Sequence, residues 1–344
     1  MADTEQEPQR FGHVAIVGDG QMALVLADAL AFGRVRTTLV SPFADAAAAL
    51  AATRESPRLP GFRLDPAVTV TADPAAIAGC DLVVCAIPTQ FIRATFTAMA
   101  ARLPVAVPIV SVAKGIEVET FRLPHDILSE SLRARGNNHA IAALSGPTIA
   151  AELARRLPAV LVAASADDDL AARVQATFTT PWTRIYSSND LLGVELAGAC
   201  KNVIAIAAGI ADGLGLGVNA KSALLARGLA EIARVGVALG GKVETFFGVA
   251  GAGDLATTCF APEGRNRSFG ERLGRGARVD EALGSTISVV EGVPTARALV
   301  ALARTHGIEL PICETVDAIV FHGLAPRDAL GQLMRRATGA ERVG

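Results

Sequence analysis

Short apolar runs, separated by helical or irregular segments, dominate the first half of the chain. Eight of these runs have the length and the valine, isoleucine and alanine content of buried β-strands. The predicted strands are His13 to Val17, Thr37 to Val40, Val68 to Thr71, Leu82 to Ala86, Ile109 to Val112, Ala140 to Leu144, Val160 to Ala164 and Thr183 to Tyr186. Because a doubly wound sheet alternates strands with other segments in this way, we predict an α/β fold for this half.

A different periodicity begins at Leu191, where apolar residues recur every three or four positions and no strand pattern follows. The first such segment runs to Gly217, and between Leu196 and Ala211 its one charge is Lys201. The later predicted helices are Asn219 to Leu239, a short helix with Asp254 as its N-cap, the run after Arg267, Glu291 to His306, Pro311 to Phe321 and Pro326 to Arg336. This pattern predicts an all-α C-terminal domain.

The change of pattern near Asn189 defines the predicted domain boundary. We expect a disordered tail at residues 1–10, an N-terminal domain at residues 11–189 and a helical domain at residues 190–344. The tail is polar and acidic and lacks the apolar core of a signal peptide. Charge, proline or glycine interrupts every apolar run that is long enough to cross a bilayer. We therefore expect a cytoplasmic protein without an integral membrane segment.

Composition and charge narrow the classes of ligand. The formal net charge is -2, with both signs scattered along 344 residues, so no basic surface for nucleic acid is indicated. The five cysteines form no CxxC pair, no HExxH sequence is present, and the five histidines are scattered. No metal site is expected from this composition. Chemistry on a small molecule is the class that the sequence favours.

A dinucleotide-binding fingerprint follows the first predicted strand. The sequence GDGQMA, from Gly18 to Ala23, opens a helical run and has alanine where the third glycine usually stands. Gly18 is expected to make the tight turn, Gly20 to let the backbone approach a pyrophosphate, and the helix N-terminus to supply N–H donors. The position of Ala23 requires only a small residue, so we predict a Rossmann-type sheet that binds a dinucleotide.

Two positions leave the choice between NAD and NADP open. Asp19 lies between the two glycines, where its carboxylate must point away from the phosphates or weaken their binding. The second predicted strand is followed by Ser41, Pro42 and Phe43, where an NAD enzyme usually carries an Asp or Glu for the ribose hydroxyls. No arginine follows immediately to bind a 2'-phosphate.

Lys201 is the first candidate for catalysis. On a helix its neighbours one turn away are Ala197, Gly198, Ile204 and Ala205, which cannot solvate a charge. Desolvation lowers the pKa of a lysine and allows it to act as a base near neutral pH, although a lysine can also extend along small residues to solvent. Only four of the 32 basic residues are lysines. Arginine cannot lose its proton, so each lysine is a candidate for proton transfer.

Further polar groups are expected at the cleft formed by the carboxyl ends of the strands. Lys114 follows a predicted strand at that edge and can bind a substrate phosphate or carbonyl oxygen. The turn from Ser145 to Thr148 can offer backbone N–H groups at the start of a helix. An ordinary loop lysine and a plain Gly-Pro turn are the alternative interpretations.

The helical half contributes polar candidates of its own. Asp254 follows a glycine-rich segment and can orient a lysine base. Arg265 and Asn266 begin a helix, where a guanidinium, an amide and the helix dipole together suit a phosphate. A solvated basic turn is the alternative interpretation of this pair.

Several short segments of the chain occur together in a fixed order between His13 and about Arg336. They are GDGQMA from Gly18, VAKGIE from Val112, SGPT from Ser145, CKNV from Cys200, GDL from Gly253, TTC from Thr257, GRNR from Gly264 and VVEG from Val289. This ordered set resembles the NAD(P)-dependent glycerol-3-phosphate dehydrogenases. The family usually has Ser-Trp in place of Gln21 and Met22, and a neutral residue in place of Asp19.

The resemblance implies that sn-glycerol 3-phosphate and dihydroxyacetone phosphate are interconverted with NAD or NADP, and that glycerol phosphate is supplied for phospholipid synthesis. Lys201 matches the general base that takes the C2 hydroxyl proton. The residues that match substrate contacts are Lys114, Gly146, Thr148, Asp254, Thr258, Arg265 and Asn266. The residues that match cofactor contacts are Gly18, Gly20, Gln21, Met22, Lys114, Ala150, Arg265, Val289 and Glu291.

These residues distinguish three possible functions. The first is the dehydrogenase, assembled as a homodimer through its helical domain. The second is a related two-domain dehydrogenase acting on another small phosphate or carboxylate, and Arg265 with Asn266 favours the phosphate substrate of the first. The third is a dinucleotide sensor without catalysis, which has no need for Lys114, Lys201 and Asp254 together.

Overall fold

The computed structural model of the protein describes residues 8–133, 138–286 and 288–337. One eight-stranded sheet forms the N-terminal half, in the order β3-β2-β1-β4-β5-β6-β7-β8. The strands are β1 His13–Val17, β2 Arg36–Val40, β3 Thr69–Thr71, β4 Leu82–Cys85, β5 Ile109–Ser111, β6 Ile141–Ser145, β7 Ala159–Ser165 and β8 Thr183–Ser188. The described strand pairs are parallel except β6 with β7. The predicted doubly wound α/β fold is confirmed.

Helices cover the sheet and then form the second half of the molecule. Those of the first half are α1 Gln21–Phe32, α2 Ala44–Thr53, α3 Thr89–Met99, α4 Pro124–Arg133, α5 Ala150–Ala154 and α6 Asp168–Phe178. Those of the second half are α7 Leu191–Gly213, α8 Gly217–Ala238, α9 Val243–Phe247, α10 Asp254–Phe260, α11 Arg265–Gly274, α12 Val279–Gly284, α13 Gly292–Thr305, α14 Pro311–His322 and α15 Pro326–Met334. The predicted helical C-terminal domain is confirmed as a fold class.

The switch point of the sheet lies between β1 and β4, because the chain leaves β1 toward β2 and β3 and returns on the other side at β4. Ligands of doubly wound sheets bind at the carboxyl ends of the strands at such a point. Gly18 lies there with a φ of +125°, and a Cβ on it would come within 2.4 Å of the Ala86 carbonyl oxygen. Only glycine can make this turn without moving the end of β4.

Helix α7 is the centre of the helical half. Its backbone crosses α11 in direct contact, since a Cβ on Gly209 would lie 1.9 Å from the Arg267 carbonyl oxygen and a Cβ on Gly270 would lie 2.0 Å from that of Ile206. Among the described residues α7 has the length and hydropathy of a membrane span, yet 83% of that window is buried inside the protein. The small residues and the burial identify it as a core helix.

The chain passes from sheet to helices between Ser188, the end of β8, and Leu191, the start of α7. The predicted limits of the two domains stay predictions. Of the predicted tail, residues 1–7 lie outside the described residues. Arg10 is described, and its Nε donates a hydrogen bond of 2.7 Å to the Ala176 carbonyl oxygen on α6.

Candidate active site

Lys201 lies on α7 with its ammonium group turned toward α10. Its Nζ donates a hydrogen bond of 2.7 Å to Asp254 Oδ1 and a second hydrogen bond to the Thr258 hydroxyl. The Thr258 hydroxyl in turn donates to the Asp254 carbonyl oxygen at 2.7 Å, one helical turn back. Lys201 is only 6% exposed. The ammonium is therefore held by buried partners, and the interpretation in which it extends to solvent is wrong.

Asp254 joins two lysines that come from opposite halves of the chain. Its second oxygen, Oδ2, accepts a hydrogen bond of 2.6 Å from Lys114 Nζ, in the loop after β5. The Asp254 side chain is 1% exposed, so both ammonium groups depend on one buried carboxylate. The predicted N-cap role of Asp254 is wrong, because Asp254 is the first residue of α10 and Gly253 precedes it as the cap. Its carboxylate is engaged by the lysines instead.

The electrostatics of this cluster follow from burial and pairing. Burial lowers the pKa of Lys201 from its ordinary value of 10.5 to about 8, while the Asp254 carboxylate opposes the shift and the Lys114 charge adds to it. Burial alone would raise the pKa of Asp254, but Lys114 and Lys201 outweigh it and hold that pKa below the ordinary value of 3.8. Lys201 is therefore the group in this cluster that can exchange a proton near neutral pH.

The turn after β6 contributes a backbone carbonyl to the same place. The Gly146 carbonyl oxygen accepts from Lys114 Nζ at 3.0 Å and from the Thr148 hydroxyl at 3.1 Å. Gly146 has a φ of +140°, and a Cβ on it would come within 2.8 Å of the Val160 carbonyl oxygen. Ala150 is buried at the start of α5, a helix of five residues. The turn therefore positions Lys114 as well as facing the cleft.

A chain of amide hydrogen bonds ties the two halves together behind the lysines. Asn202 Nδ2 donates to the Lys114 carbonyl oxygen at 2.9 Å, and Asn266 Nδ2 donates to Asn202 Oδ1 at 2.8 Å. The Gly292 N–H completes the chain by donating to Asn266 Oδ1 at 3.0 Å. Asn266, predicted to bind phosphate, thus uses its oxygen and one N–H within the protein. Arg265 beside it is exposed at the first turn of α11.

Two residues of this site were missed as candidates in the sequence. Asn202 follows Lys201 directly and is the one amide in the run from Leu196 to Ala211, which was a usable signal. Ser145 is buried, and its Oγ has no hydrogen-bond partner among the described residues. The SGPT segment contains Ser145, but nothing local distinguishes its hydroxyl from that of Thr148.

The predicted cofactor loop leads from β1 into the N-terminus of α1. Gly20 is the N-cap of α1, and a Cβ on it would meet no atom of the described residues within 4 Å. Space is therefore open beside Gly20 at the N-terminus of α1, the end of a helix that binds phosphate in other proteins. Gln21 and Met22 depart from the usual Ser-Trp. Gln21 Oε1 accepts from Arg265 Nη1 at 3.3 Å, whereas Met22 packs against the core of the sheet.

A narrow cleft lies where α3 meets the segment before α13. It is lined by Pro88, Thr89, Gln90, Gly115, Val289, Glu291, Pro294 and Thr295. The Thr89 N–H donates to Glu291 Oε1 at 3.2 Å, so the carboxylate joins the first turn of α3 to the helical half. Burial raises the pKa of Glu291 against the opposing effects of Thr89 and Arg265. The cleft therefore brings Val289 and Glu291, both predicted cofactor contacts, to the end of β4.

Potential metal ligands do not gather within the parts of the chain that the structure describes. No group of three or more His, Cys, Asp or Glu residues is placed there to hold a metal ion. All five cysteines are buried free thiols. The polar centre of the molecule is the cluster of Lys114, Lys201 and Asp254.

Comparison with known proteins extends over both halves. The family model described as NAD-dependent glycerol-3-phosphate dehydrogenase N-terminus matches residues 13–171, and the model described as its C-terminus matches residues 190–331. A glycerol-3-phosphate dehydrogenase (NAD(P)+) of Thermobifida fusca is 43% identical over 334 residues, covering 96% of this chain and 99% of the relative. A protein of the same name from Geobacter sp. is 42% identical over 332 residues, with 96% and 99% covered.

A solved structure agrees with these relatives. The crystal structure of glycerol-3-phosphate dehydrogenase from Coxiella burnetii superposes with a TM-score of 0.90 at 33% identity, covering 94% of this chain and 99% of that chain. Because 94% of this chain is covered, the likeness extends over both the sheet and the helical half. The chain therefore belongs to the NAD-dependent glycerol-3-phosphate dehydrogenase family.

Proposed function

We propose that the protein interconverts sn-glycerol 3-phosphate and dihydroxyacetone phosphate with NAD or NADP, and that Lys201 is its general acid and base. The observation that carries the proposal is a buried lysine with a pKa of about 8, held by Asp254 and Thr258 beside Lys114. The nicotinamide cofactor, when bound, accepts or supplies the hydride at substrate C2. Lys201 Nζ takes the C2 hydroxyl proton during oxidation and returns it during reduction.

The substrate site is proposed to surround this proton-transfer group. Its residues are Lys114, Gly146, Thr148, Asp254, Thr258, Arg265 and Asn266. Two lysines around one carboxylate leave a formal charge of +1, and the charges of exposed Arg265 and of Glu291, which interact with each other, cancel formally. This charge balance favours a phosphorylated substrate. Because Asn266 already bonds Asn202 and Gly292, Arg265 is proposed as the main phosphate donor of the pair formed by Arg265 and Asn266.

The cofactor site is proposed to follow the carboxyl ends of β1 and β4. Its residues are Gly18, Gly20, Gln21, Met22, Lys114, Ala150, Arg265, Val289 and Glu291. The N-terminus of α1 is proposed to bind the pyrophosphate, and the residues around Glu291 are proposed to contact the nicotinamide end. Hydrogen bonding between Gln21 and Arg265 supports closure of the two halves around a ligand.

The activity is tested by mixing the protein with dihydroxyacetone phosphate and, in separate reactions, with NADH and NADPH. Loss of the absorbance of the reduced nicotinamide is expected with at least one of them. A 2-keto acid of similar size, used in place of dihydroxyacetone phosphate, is the control for the hypothesis of a related dehydrogenase with another substrate. Absence of oxidation with both cofactors would contradict the proposal.

The pH dependence of the two directions should be opposite. Oxidation requires neutral Lys201, so its rate should rise as pH increases through about 8, whereas reduction requires the protonated amine and should fall over the same range. The measurement is kcat/KM for each direction between pH 6.5 and 9.5 at saturating cofactor. Profiles that are flat, or that change in the same sense for both directions, would exclude Lys201 as the group that titrates.

The cellular role is proposed to be cytoplasmic reduction that supplies glycerol phosphate for phospholipid synthesis. We further propose a homodimer formed through the helical domain, where Val218, Val237 and Val243 are 75%, 46% and 54% exposed. Exposed apolar side chains of this kind favour association when they lie on one surface. Sedimentation equilibrium over a hundredfold range of concentration distinguishes the dimer from a monomer.

A further inference from the structure

The side chain of Asp19 turns away from the phosphate side of the glycine loop. Its Oδ2 accepts a hydrogen bond of 2.8 Å from the Ser41 hydroxyl, at the carboxyl end of β2. The Asp19 side chain is 11% exposed, so it is not wholly enclosed by the protein. The conflict between Asp19 and the phosphates that the sequence suggests is thereby avoided. The carboxylate of Asp19 lies at the carboxyl end of β2 instead.

That position has a known role in dinucleotide-binding sheets. An acidic residue at the end of the second strand usually accepts hydrogen bonds from the adenosine ribose hydroxyls of NAD, and it repels the 2'-phosphate of NADP. This chain has Ser41 there. We propose that Asp19, oriented by Ser41, replaces the missing acid and makes the enzyme select NAD over NADP. The inference rests on the proposed cofactor site between Gly18 and Gly20.

Arg58 explains why the selection depends on Asp19 in particular. The Arg58 Nε lies 3.6 Å from Asp19 Oδ1, and its guanidinium carbon lies 6.0 Å from the centre of the Phe43 ring. The loop that carries Arg58 is fixed by Gln21, whose Nε2 donates to the Arg58 carbonyl oxygen at 2.6 Å. Arg58 is thus the cation nearest to the carboxylate, and Asp19 neutralises the charge that a 2'-phosphate would otherwise meet.

The pair of charges therefore treats the two cofactors differently. A ribose hydroxyl can donate a hydrogen bond to the Asp19 carboxylate, and hydrogen bonds to charged groups are the stronger ones. A 2'-phosphate carries a charge of about -1.5 to -2 and meets that carboxylate as a like charge. Without the carboxylate, the Arg58 guanidinium would be available to the phosphate.

The test is the ratio of the dissociation constants of NADH and NADPH, measured by nicotinamide fluorescence. The unaltered protein should bind NADH more tightly. Asp19→Asn should weaken the binding of NADH and tighten the binding of NADPH. The ratio of the two dissociation constants should shift in favour of NADPH by about 10-fold to 100-fold. Asp45→Asn is the matched control, because Asp45 is an exposed acid in the first turn of α2 and its loss removes the same charge nearby. The ratio should not change in that control.

Two further variants keep the inference falsifiable. In the Asp19→Asn protein, Arg58→Gln should cancel the gain for NADPH, because it removes the cation that the phosphate is expected to contact. Ser41→Ala removes only the hydroxyl that orients the carboxylate, so it should shift the ratio in the same direction by a smaller factor. This variant replaces Asp19→Asn as the test if the Asp19→Asn protein does not fold. The inference would be overturned if the unaltered protein bound NADPH more tightly than NADH. An unchanged ratio of dissociation constants in Asp19→Asn would also overturn it. If the Asp19→Asn protein does not fold, the same outcome in Ser41→Ala decides.

These outcomes also separate this inference from the proposed function. If the unaltered protein binds neither cofactor, the cofactor site in the glycine loop is wrong and the inference is wrong with it. If both cofactors bind and support reduction of dihydroxyacetone phosphate, while Asp19→Asn leaves the ratio unchanged, only the role of Asp19 is wrong.

Discussion

Replacing Lys201 with arginine is expected to lower kcat in both directions by about 100-fold to 10,000-fold. Arginine keeps the positive charge beside Asp254 but cannot release a proton at any pH at which the protein is folded. Binding of the cofactor should change little, because Lys201 contacts Asp254 and Thr258 rather than the glycine loop. The measurement is kcat at saturating substrate, together with the dissociation constant of the cofactor.

Two controls accompany this substitution. Lys242→Arg makes the same exchange at an exposed lysine, whose Nζ bonds Asn189, and should leave kcat unchanged. Lys201→Met removes the charge with little change in volume. It therefore shows whether the lower kcat of Lys201→Arg comes from the bulk of arginine in a buried site. Loss of a general base leaves a residual turnover well below about a tenth of the original. If either Lys201 variant folds and keeps more than that tenth, Lys201 is not the general acid and base.

The fold was predictable because its signals are local. The strands of the sheet are short runs rich in apolar and β-branched residues, and the predicted ends of β1 coincide with the observed strand His13–Val17. The fingerprint after β1 specified its turn, since the φ of +125° at Gly18 requires glycine. Lys201 stood out for an equally local reason, as one charge within an apolar helical run. Sequence reasoning succeeded wherever neighbours along the chain were sufficient.

The partners of these residues were not predictable in the same way. Asp254 was interpreted as an N-cap and, as a functional residue, as a carboxylate that could hold Lys201. Its bond to Lys201, 53 residues away, is observed, whereas its bond to Lys114, 140 residues away, was not predicted. Asp19 looked like a misfit because its partner Ser41 lies 22 residues along the chain, after β2. Pairings of this kind depend on how the sheet and helices pack, which no local pattern reports. The short helix α5 and the amide chain through Asn202 are further results of packing.

Asp254 is expected to act as a positioning residue whose loss affects the two directions of the reaction unequally. Asp254→Asn keeps the shape of the side chain but leaves Lys114 and Lys201 as two buried cations without their shared carboxylate. The free energy of unfolding should fall by about 3–5 kcal/mol, as it does when one partner of a buried ion pair is removed. Asp280→Asn, at an exposed aspartate of α12 in the same domain, is the matched control and should leave the free energy of unfolding unchanged.

The pH profile of Asp254→Asn separates this electrostatic role from simple loss of structure. Asp254 raises the pKa of Lys201 against burial, so without it that pKa should fall below about 8. Reduction, which needs the protonated amine, should then reach its inflection at lower pH and lose rate at pH 8, because a smaller fraction of Lys201 is protonated there. Oxidation at pH 7 should lose less than reduction, since more of the lysine is neutral. Partial unfolding would reduce both directions equally and leave the inflection unmoved, and that result would show that the carboxylate only supports the fold.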